Sequence, residues 1–276
     1  MTQRRGDITS KEMKTHIPSQ VIALARGLDI LQCFSAAHPQ LGSTEIARLT
    51  NLPQPTVWRL CQTLLQYGFL LSVPGSPRFQ LGTAALTLGV TATATFDAFE
   101  HVRPRMQHIA NTYQTAVSIA SREKLDMIYV ERYAAEIMVG TNLRKGSRLS
   151  MHKCTLGWAI LAAMQENARQ NVIEELCTQF PDEAEQIRKQ AISAVSQYEK
   201  NGYVVAKGLV HKNVIAAAIP ICTDTGPQLA VNCSSDVSGM SARKLTTEIT
   251  PALAEIARIL QATLFTAGLK EGFSLR

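Results

Sequence analysis

The chain has 276 residues, of which 46% are hydrophobic and 18% charged, a composition that predicts a globular protein long enough for two hydrophobic cores. Its longest uncharged apolar run, residues 214–222, is interrupted by Pro220 and is far shorter than the roughly 20 residues that cross a bilayer, which argues against a membrane-spanning helix. The net charge of +6 is concentrated in residues 1–82, where eight basic residues outnumber four acidic ones, and this excess favours a nucleic-acid partner.

Cysteine usage and the first residues bear on the cell compartment. The six cysteines are scattered and form no C-x-x-C pair, so neither a zinc site nor a disulfide framework is expected. Residues 1–17 form a polar tail, expected to be disordered, without the apolar core of a secretion signal. We therefore predict a cytoplasmic protein without a metal or other cofactor.

Residues 18–82 predict a small three-helix domain. The second helix is expected over 43–50, with Ser43 as its N-cap, and Asn51 and Pro53 are expected to end it. The first helix is expected to contribute core residues from three leucines at helical spacing, namely Leu24, Leu28 and Leu31.

The third helix, expected over 55–67, has the pattern of a DNA-recognition helix. Its apolar face is formed by Val57, Leu60, Cys61 and Leu64. Its opposite face carries hydrogen-bonding side chains without a single acid: Thr56, Arg59, Thr63 and Gln66. Strands expected over 69–73 and 78–81 then form a ribbon, so the order of elements predicts a winged helix-turn-helix. The competing interpretation is a helical subdomain of an enzyme.

The remainder of the chain predicts a second domain of the α+β class, in which helices flank an antiparallel sheet. A connecting helix over 83–95 is expected to bury one face against a second subunit, although Gly89 weakens it. Strands are expected over 116–121, 125–131, 137–142, 203–206, 213–221 and 229–233. Helices are expected over 102–113, 155–164 and 241–265, with two more between 167 and 200.

A search for catalytic motifs favours a sensor over an enzyme. The chain has no G-x-S-x-G, H-E-x-x-H or G-x-G-x-x-G sequence, and its six histidines lack metal-ligand spacing. His152 lies near Cys154 in sequence, but a structural role is favoured over a nucleophile–base pair. We therefore predict no catalytic residues.

Eight segments, taken in order, resemble the IclR family of bacterial transcriptional regulators, and the resemblance covers residues 20–267. The segments are ARGLDIL (25–31), EIA (45–47), LPQPTVWRL (52–60), FQLG (79–82), GSRLSMH (146–152), LGWA (156–159), GY (202–203) and AAAIPI (216–221). Each segment alone is a weak signal, whereas the whole series is specific.

The resemblance implies a domain order and a mode of action. A winged helix-turn-helix domain (18–82) and a linker helix (83–97) would precede an effector-binding domain (98–276) with an antiparallel sheet of the GAF or profilin type. A homodimer, or a dimer of dimers, would bind a partly palindromic operator in double-stranded DNA and act as repressor or activator. A small organic acid bound in the C-terminal domain would alter that binding.

Five residues are expected to contact DNA: Gln54, Thr56, Trp58, Arg59 and Arg78. Arg pairs with guanine and Gln with adenine through two hydrogen bonds, while Thr56 and the free amides of the helix start are expected to hold phosphate.

Three of these assignments leave alternatives open. Trp58 either contacts DNA or packs under the ribbon. Arg59 either contacts a base or pairs with Glu45 or Asp29. Arg78, at the ribbon tip, either contacts a phosphate or the minor groove, or belongs to a solvated loop.

The family's ligand-lining positions, carried over one by one, give eight candidate effector contacts: Met138, Thr141, Thr155, Leu156, Ala206, Ala216, Cys233 and Ser235. Amides at Thr155 and Leu156, at a positive helix end, are expected to hold a carboxylate. Met138 and Ala216 have ordinary core positions as the alternative. Some family members have an acidic residue at the position of Ala206, so the pocket here is expected to be less polar. We therefore expect the effector to be a carboxylic acid with an apolar or aromatic body.

Two other functions compete with an effector-controlled regulator. One is a bifunctional metabolic enzyme with an appended winged-helix domain, which would need a Gly-rich adenylate-binding loop that the sequence lacks. The other is a protein-interaction module. Salt-dependent binding to promoter DNA would distinguish a regulator from the latter.

Overall fold

The computed structural model describes residues 21–35, 38–94, 99–135, 143–223 and 226–266, which fall into two compact units that divide after Val90. The predicted polar tail and the predicted strand over 137–142 lie outside the described residues. Helices and antiparallel sheets occur in both units, which confirms the α+β prediction. None of the helices in the described ranges is both long and apolar enough to cross a membrane.

The N-terminal unit is a winged helix-turn-helix with a three-stranded sheet. Its elements are α1 (Ile22–Gln32), β1 (Gln40–Gly42), α2 (Ser43–Thr50), α3 (Gln54–Gln66), β2 (Leu70–Ser72), β3 (Arg78–Leu81) and the first part of α4 (Thr83–Ala94). The sheet order is β1-β3-β2, with both pairs antiparallel. The third strand, β1, was not predicted, because three residues carry too little alternation to be recognised without their partner.

The core of this unit forms where α1, α2 and α3 meet the sheet. It contains Ile30, Phe34, Leu41, Ile46, Val57, Cys61, Leu70 and Phe79. The predicted apolar face of α3 is confirmed, since Val57 and Cys61 are fully buried and Leu60 and Leu64 pack against the core. The predicted core face of α1 is confirmed only for Leu31, which packs against this core, and is wrong for Leu24 and Leu28, which are at least half exposed.

The start of α2 differs from the prediction by one residue. Gly42, not Ser43, occupies the N-cap, and the Glu45 carboxylate accepts a hydrogen bond from the Gly42 amide at 2.8 Å. The helix ends at Asn51 in the left-handed conformation (φ 53°), as the sequence indicated. This carboxylate therefore compensates one of the unpaired amides of the helix start.

The C-terminal unit is built on a six-stranded antiparallel sheet with the order β6-β5-β4-β9-β8-β7. Its strands are β4 (Ala116–Glu123), β5 (Asp126–Ala134), β6 (Arg148–Ser150), β7 (Val204–Lys207), β8 (Val214–Thr223) and β9 (Gly226–Asp236). Its helices are α5 (Arg103–Tyr113), α6 (Thr155–Ala163), α7 (Glu166–Gln179), α8 (Ala184–Asn201), α9 (Ala242–Lys244) and α10 (Thr250–Thr266).

Each face of this sheet has its own hydrophobic core. One core joins α5 and α10 to residues such as Ile119, Ala217 and Val231. The other joins α6, α7 and α8 to Ala120 and Ala218. The long C-terminal helix predicted over 241–265 is interrupted by a π-helical segment, Leu245–Ile249, between α9 and α10. Because side chains alternate between faces along each strand, register decides which residues face α6.

Candidate functional site

The first candidate site is the start of α3. Gln54, Trp58 and Arg59 are exposed and Thr56 is half-buried, so the predicted polar face lies at the surface of its unit. The Gln54 side chain donates a hydrogen bond to Ser43 Oγ at 3.2 Å, which links α3 to α2. Fewer amides are free than the sequence indicated: Thr56 and Val57 both donate to the Pro53 carbonyl, and Pro55 has no N–H.

Trp58 packs against the ribbon and is also partly exposed. Its ring centroid lies 5.9 Å from that of Phe79 on β3, with the planes tilted by 52°. The residue nevertheless remains 48% exposed. Packing against the ribbon therefore holds the indole in place while about half of it stays available for contact.

Arg59 and Arg78 differ in their partners. Within the described ranges no ion pair joins Arg59 to Glu45 or Asp29. Glu45 is paired with Arg78 instead, at 3.0 Å, and Arg78 also donates to the Gln40 carbonyl at 2.7 Å. The Gly42 amide and then the Arg78 guanidinium hold the pKa of Glu45 below its usual range. Arg78 is thus tethered where β3 meets α2, rather than belonging to a loose loop tip.

The second candidate site is a cavity of about 20 Å³ in the C-terminal unit, which we call the α6 cavity. The described residues that line it are Tyr129, Leu143, Cys154, Thr155, Ala206, Leu209, Val210, Val214, Ala216, Asn232 and Ser234. Three predicted effector contacts are among them: Thr155, Ala206 and Ala216. Met138 and Thr141 lie outside the described residues, and the Leu156 side chain is buried in the core beneath.

The structure corrects two predicted contacts on β9. Cys233 and Ser235 lie on the face opposite the cavity, where Cys233 packs in the core with α5 and α10 and its sulfur lies 3.0 Å from Thr115 Oγ1. Burial raises the pKa of the Cys233 thiol to about 12. Since side chains alternate along a strand, their neighbours Asn232 and Ser234 face the cavity instead.

Other lining residues were not among the predicted contacts. Tyr129 lies on β5, and Leu209 and Val210 lie in the β7–β8 connection. The strand pairing holds a usable signal, because Ser234 lies directly opposite Ala216 and Asn232 opposite Ala218. Once Ala216 is assigned to the cavity face, antiparallel register assigns Ser234 and Asn232 to it as well.

The start of α6 is built by a close backbone approach. A Cβ on Gly157 would lie 2.3 Å from the Met151 carbonyl oxygen, so only glycine fits there. Cys154 occupies the N-cap, and burial raises its thiol pKa to about 12, partly offset by hydrogen bonds from the Gly157 and Leu156 amides. Thr155, the first helical residue, is buried and lines the cavity. The positive end of the helix therefore borders the cavity at Thr155.

His152 forms a separate cluster. Its Nδ1 lies 2.9 Å from Ser150 Oγ, and its ring packs on Phe180 with centroids 4.4 Å apart. Its Nε2 lies 3.4 Å from a Glu183 carboxylate oxygen, but the geometry makes no hydrogen bond, so this nitrogen is buried and unsatisfied among the described groups. Burial, reinforced by Lys153, lowers the pKa of His152. The Cys154 thiol donates to the Met151 carbonyl instead, so the two residues form no nucleophile–base pair.

Two domain families match the chain. The IclR helix-turn-helix domain matches residues 23–74, and the bacterial transcriptional regulator IclR C-terminal domain matches residues 90–262. Among similar proteins, the HTH-type transcriptional regulator TsaQ1/TsaQ2 of Comamonas testosteroni is 27% identical and the alignment covers 90% of each chain. The Pca regulon regulatory protein of Pseudomonas putida is 25% identical, covering 90% of this chain and 86% of its own.

Solved structures give the same result. An IclR family transcriptional regulator from Brucella abortus matches with a TM-score of 0.80 and 31% identity, covering 92% of this chain and 97% of that chain. An IclR homolog from Microbacterium hydrocarbonoxydans, complexed with 4-hydroxybenzoate, matches with a TM-score of 0.69 over 88% of this chain and 98% of that chain. Its identity is 19%, so that likeness concerns the fold.

Proposed function

This chain belongs to the IclR family of DNA-binding transcriptional regulators, and from that premise we propose that a small organic acid in the α6 cavity controls its binding to an operator. The observation that carries the proposal is the buried start of α6, where Thr155 lines a cavity that also has polar side chains. A helix start of this kind favours an anion. The structural neighbour from Microbacterium hydrocarbonoxydans binds an aromatic acid, which supports the ligand class.

At the DNA interface we propose distinct roles for the α3 residues. Arg59 is exposed and forms no ion pair with the nearby acids, which suits a bidentate contact with guanine. Gln54 and Trp58 are exposed beside it and are assigned to base edges or backbone. Thr56 is half-buried at the first turn, where its hydroxyl suits a phosphate oxygen.

Operator binding is tested by fluorescence anisotropy with duplexes that tile the region beside the regulator's own gene. One duplex is expected to bind tightly at low salt, with affinity that falls linearly on a log–log plot as salt rises. Binding that is equally strong to every duplex, or insensitive to salt, would contradict a sequence-specific regulator and favour a protein-interaction module.

The size of the α6 cavity sets a condition on the effector. About 20 Å³ is room for one water molecule, so an organic acid requires the cavity to widen. The side formed by Leu209 and Val210 is the best candidate, because this β7–β8 connection is short, apolar towards the cavity and partly exposed. An apolar side chain there also suits an effector with an apolar or aromatic body.

Effector binding is tested by a thermal-shift panel on the full chain. Aromatic monocarboxylates are compared with small polar acids such as glyoxylate, because a ligand that binds only the folded state raises the melting temperature. Stabilisation by aromatic acids supports the proposal. Stabilisation by glyoxylate-like acids alone would overturn the apolar-body assignment, and no stabilisation by any acid would overturn the effector class.

We further propose a homodimer formed through the N-terminal unit. Leu24 and Leu28 on α1 and Leu86 and Leu88 on α4 are each at least half exposed, which is unusual for large apolar side chains grouped on helices. A two-fold dimer would bury them and match a palindromic operator. Sedimentation should show dimers that Leu86→Glu weakens, whereas Leu71→Glu, on the exposed side of β2, should not.

We propose that regulation involves no catalytic step. The Ser150–His152–Glu183 cluster has the residue types of a hydrolase site, but His152 is 4% exposed and covered by Phe180. A general base must reach the proton that it abstracts. The cluster instead ties β6 to the segment before α8, and hydrolysis of model esters by the protein would refute this assignment.

A further inference from the structure

The floor of the α6 cavity contains a buried acceptor without a partner. Asn232 is 4% exposed, and its Oδ1 receives no hydrogen bond from any described residue. Its cross-strand neighbours do not satisfy it: Ala218 on β8 has no polar side-chain atom, and Ser118 on β4, which accepts a hydrogen bond from Arg132 at 2.7 Å, makes none with Oδ1. Buried polar atoms in folded proteins nearly always have a partner, so this exception needs an explanation.

The position of Asn232 indicates what that partner is. The residue lines the same cavity as Thr155, the first residue of α6, so one cavity contains both a positive helix end and an unsatisfied acceptor. One water molecule fits the cavity and would satisfy Oδ1 in the ligand-free protein. A ligand that displaces this water must supply a donor of its own, or Oδ1 is left buried and unpaired.

We infer that Asn232 selects the effector: the ligand is an organic acid that also carries a hydroxyl or amino group, with its carboxylate towards the start of α6 and its donor on Asn232. This rests on the proposed effector function and narrows its ligand class. A plain acid of the same shape leaves the acceptor unpaired and binds roughly tenfold or more weaker. The other polar side chains lining the cavity, those of Tyr129, Thr155 and Ser234, carry hydroxyl groups, whereas Asn232 in its present orientation places a buried carbonyl oxygen without a partner there.

The test uses matched pairs of probes on the full chain. Isothermal titration compares para-hydroxybenzoate with para-methylbenzoate, and lactate with isobutyrate, because a methyl group replaces the hydroxyl in each pair at nearly constant shape. Wild-type protein is expected to prefer the hydroxyl member of at least one pair by about tenfold or more. Asn232→Leu is expected to remove that preference.

Two further measurements separate selection from a merely structural role. Because Asn232→Leu replaces a buried amide that no described residue bonds at Oδ1 with an apolar side chain of similar size, the ligand-free variant is expected to melt close to wild type. Asn232→Asp keeps an acceptor but adds a negative charge, so it should retain the hydroxyl preference while every acid binds more weakly.

The outcomes of these experiments distinguish the role of Asn232 from the effector binding on which it rests. If acids bind but wild type shows no hydroxyl preference, or Asn232→Leu retains the preference, the role of Asn232 is refuted and the effector proposal stands. If none of the four acids binds at millimolar concentration, both are refuted.

Discussion

The starts of α3 and α6 present the same chemical group, the positive end of a helix, in opposite surroundings. In α3 only Val57 and Cys61 of thirteen residues are buried, and the side chains of the first turns reach the surface. In α6 eight of nine residues are buried, and the first of them, Thr155, faces a cavity. The difference lies in where each helix packs, because α3 lies at the surface of its unit whereas α6 lies inside the other unit.

This contrast shows how burial decides what a helix start recognises. An exposed start meets a large, hydrated and charged partner, so its affinity depends on salt and on several side chains acting together. A buried start competes with less water, so the selection proposed for Asn232 is expected to change affinity about tenfold or more. Mutations at the proposed DNA-binding site, the start of α3, and at the proposed effector site, the start of α6, are therefore expected to have different effects.

The largest effect is expected from adding a side-chain methyl group at Gly157, where the start of α6 lies close to the Met151 backbone. Gly157→Ala places a methyl group 2.3 Å from the Met151 carbonyl oxygen, so we expect the C-terminal unit to lose about 3 kcal/mol of unfolding free energy. Chemical denaturation of the full chain measures the loss. The matched control is Gly239→Ala in the same unit, where a Cβ meets nothing within 4 Å. Equal stability of both variants would show that the contact is readily relaxed.

The sequence predicts features that depend on local spacing better than features that depend on a packing partner. The apolar face of α3 and the left-handed end of α2 at Asn51 follow from local spacing and turn chemistry, and both are confirmed. Leu24 and Leu28 show the limit, because a helical stripe reveals an apolar face but not what covers it.

The α6 cavity was predicted only in part, for a reason of register. Of the predicted effector contacts, Thr155, Ala206 and Ala216 line the cavity, whereas Cys233 and Ser235 are each one residue from a lining position. A shift of one residue moves a strand side chain to the other face, and no local signal in β9 fixes that choice. Pairing with β8 fixes it, and pairing is a property of the folded sheet.

The second largest effect is expected at the exposed helix start. If Arg59 reads a base, Arg59→Ala should weaken operator binding by about ten- to a hundredfold and relax the preference for the contacted base pair. Anisotropy with single-base operator variants measures both. Arg48→Ala is the control, with the same loss of charge on α2 instead of α3. An equal loss of operator affinity in the two variants would show that Arg59 contributes only general electrostatic attraction.

A smaller effect is expected from pH, and it concerns the C-terminal unit. Because burial lowers the pKa of His152 in the folded protein, protons bind more readily to the unfolded chain. Stability is therefore complete above the ordinary histidine pKa of about 6.5 and is lost as the pH falls below it. Melting temperatures between pH 7.5 and 5.5 are expected to fall for wild type and to fall less for His152→Asn, which keeps a partner for Ser150.

The pH range and a second histidine make this prediction specific. The pKa values of Glu45, Glu183 and Asp236 are lowered, so their contributions are lost only below the ordinary carboxylate range and not above pH 5.5. His108→Asn, exposed on α5, is the control and should melt with the wild-type pH dependence. If His152→Asn also keeps that dependence, another group is responsible.

The smallest effect is expected at Arg78, because Glu45 would compete with a DNA phosphate for its guanidinium. Glu45 and a phosphate would share one guanidinium, and the pair is about 40% exposed on both sides, so the ion pair is weak enough to open. Arg78→Ala should therefore reduce operator affinity a few-fold and the salt slope by about one. Glu45→Gln, which keeps an acceptor for the Gly42 amide but removes the charge, should act in the opposite direction. Wild-type affinity and slope in both variants would mean that Arg78 only joins β3 to α2, and that the exposed recognition surface ends at α3.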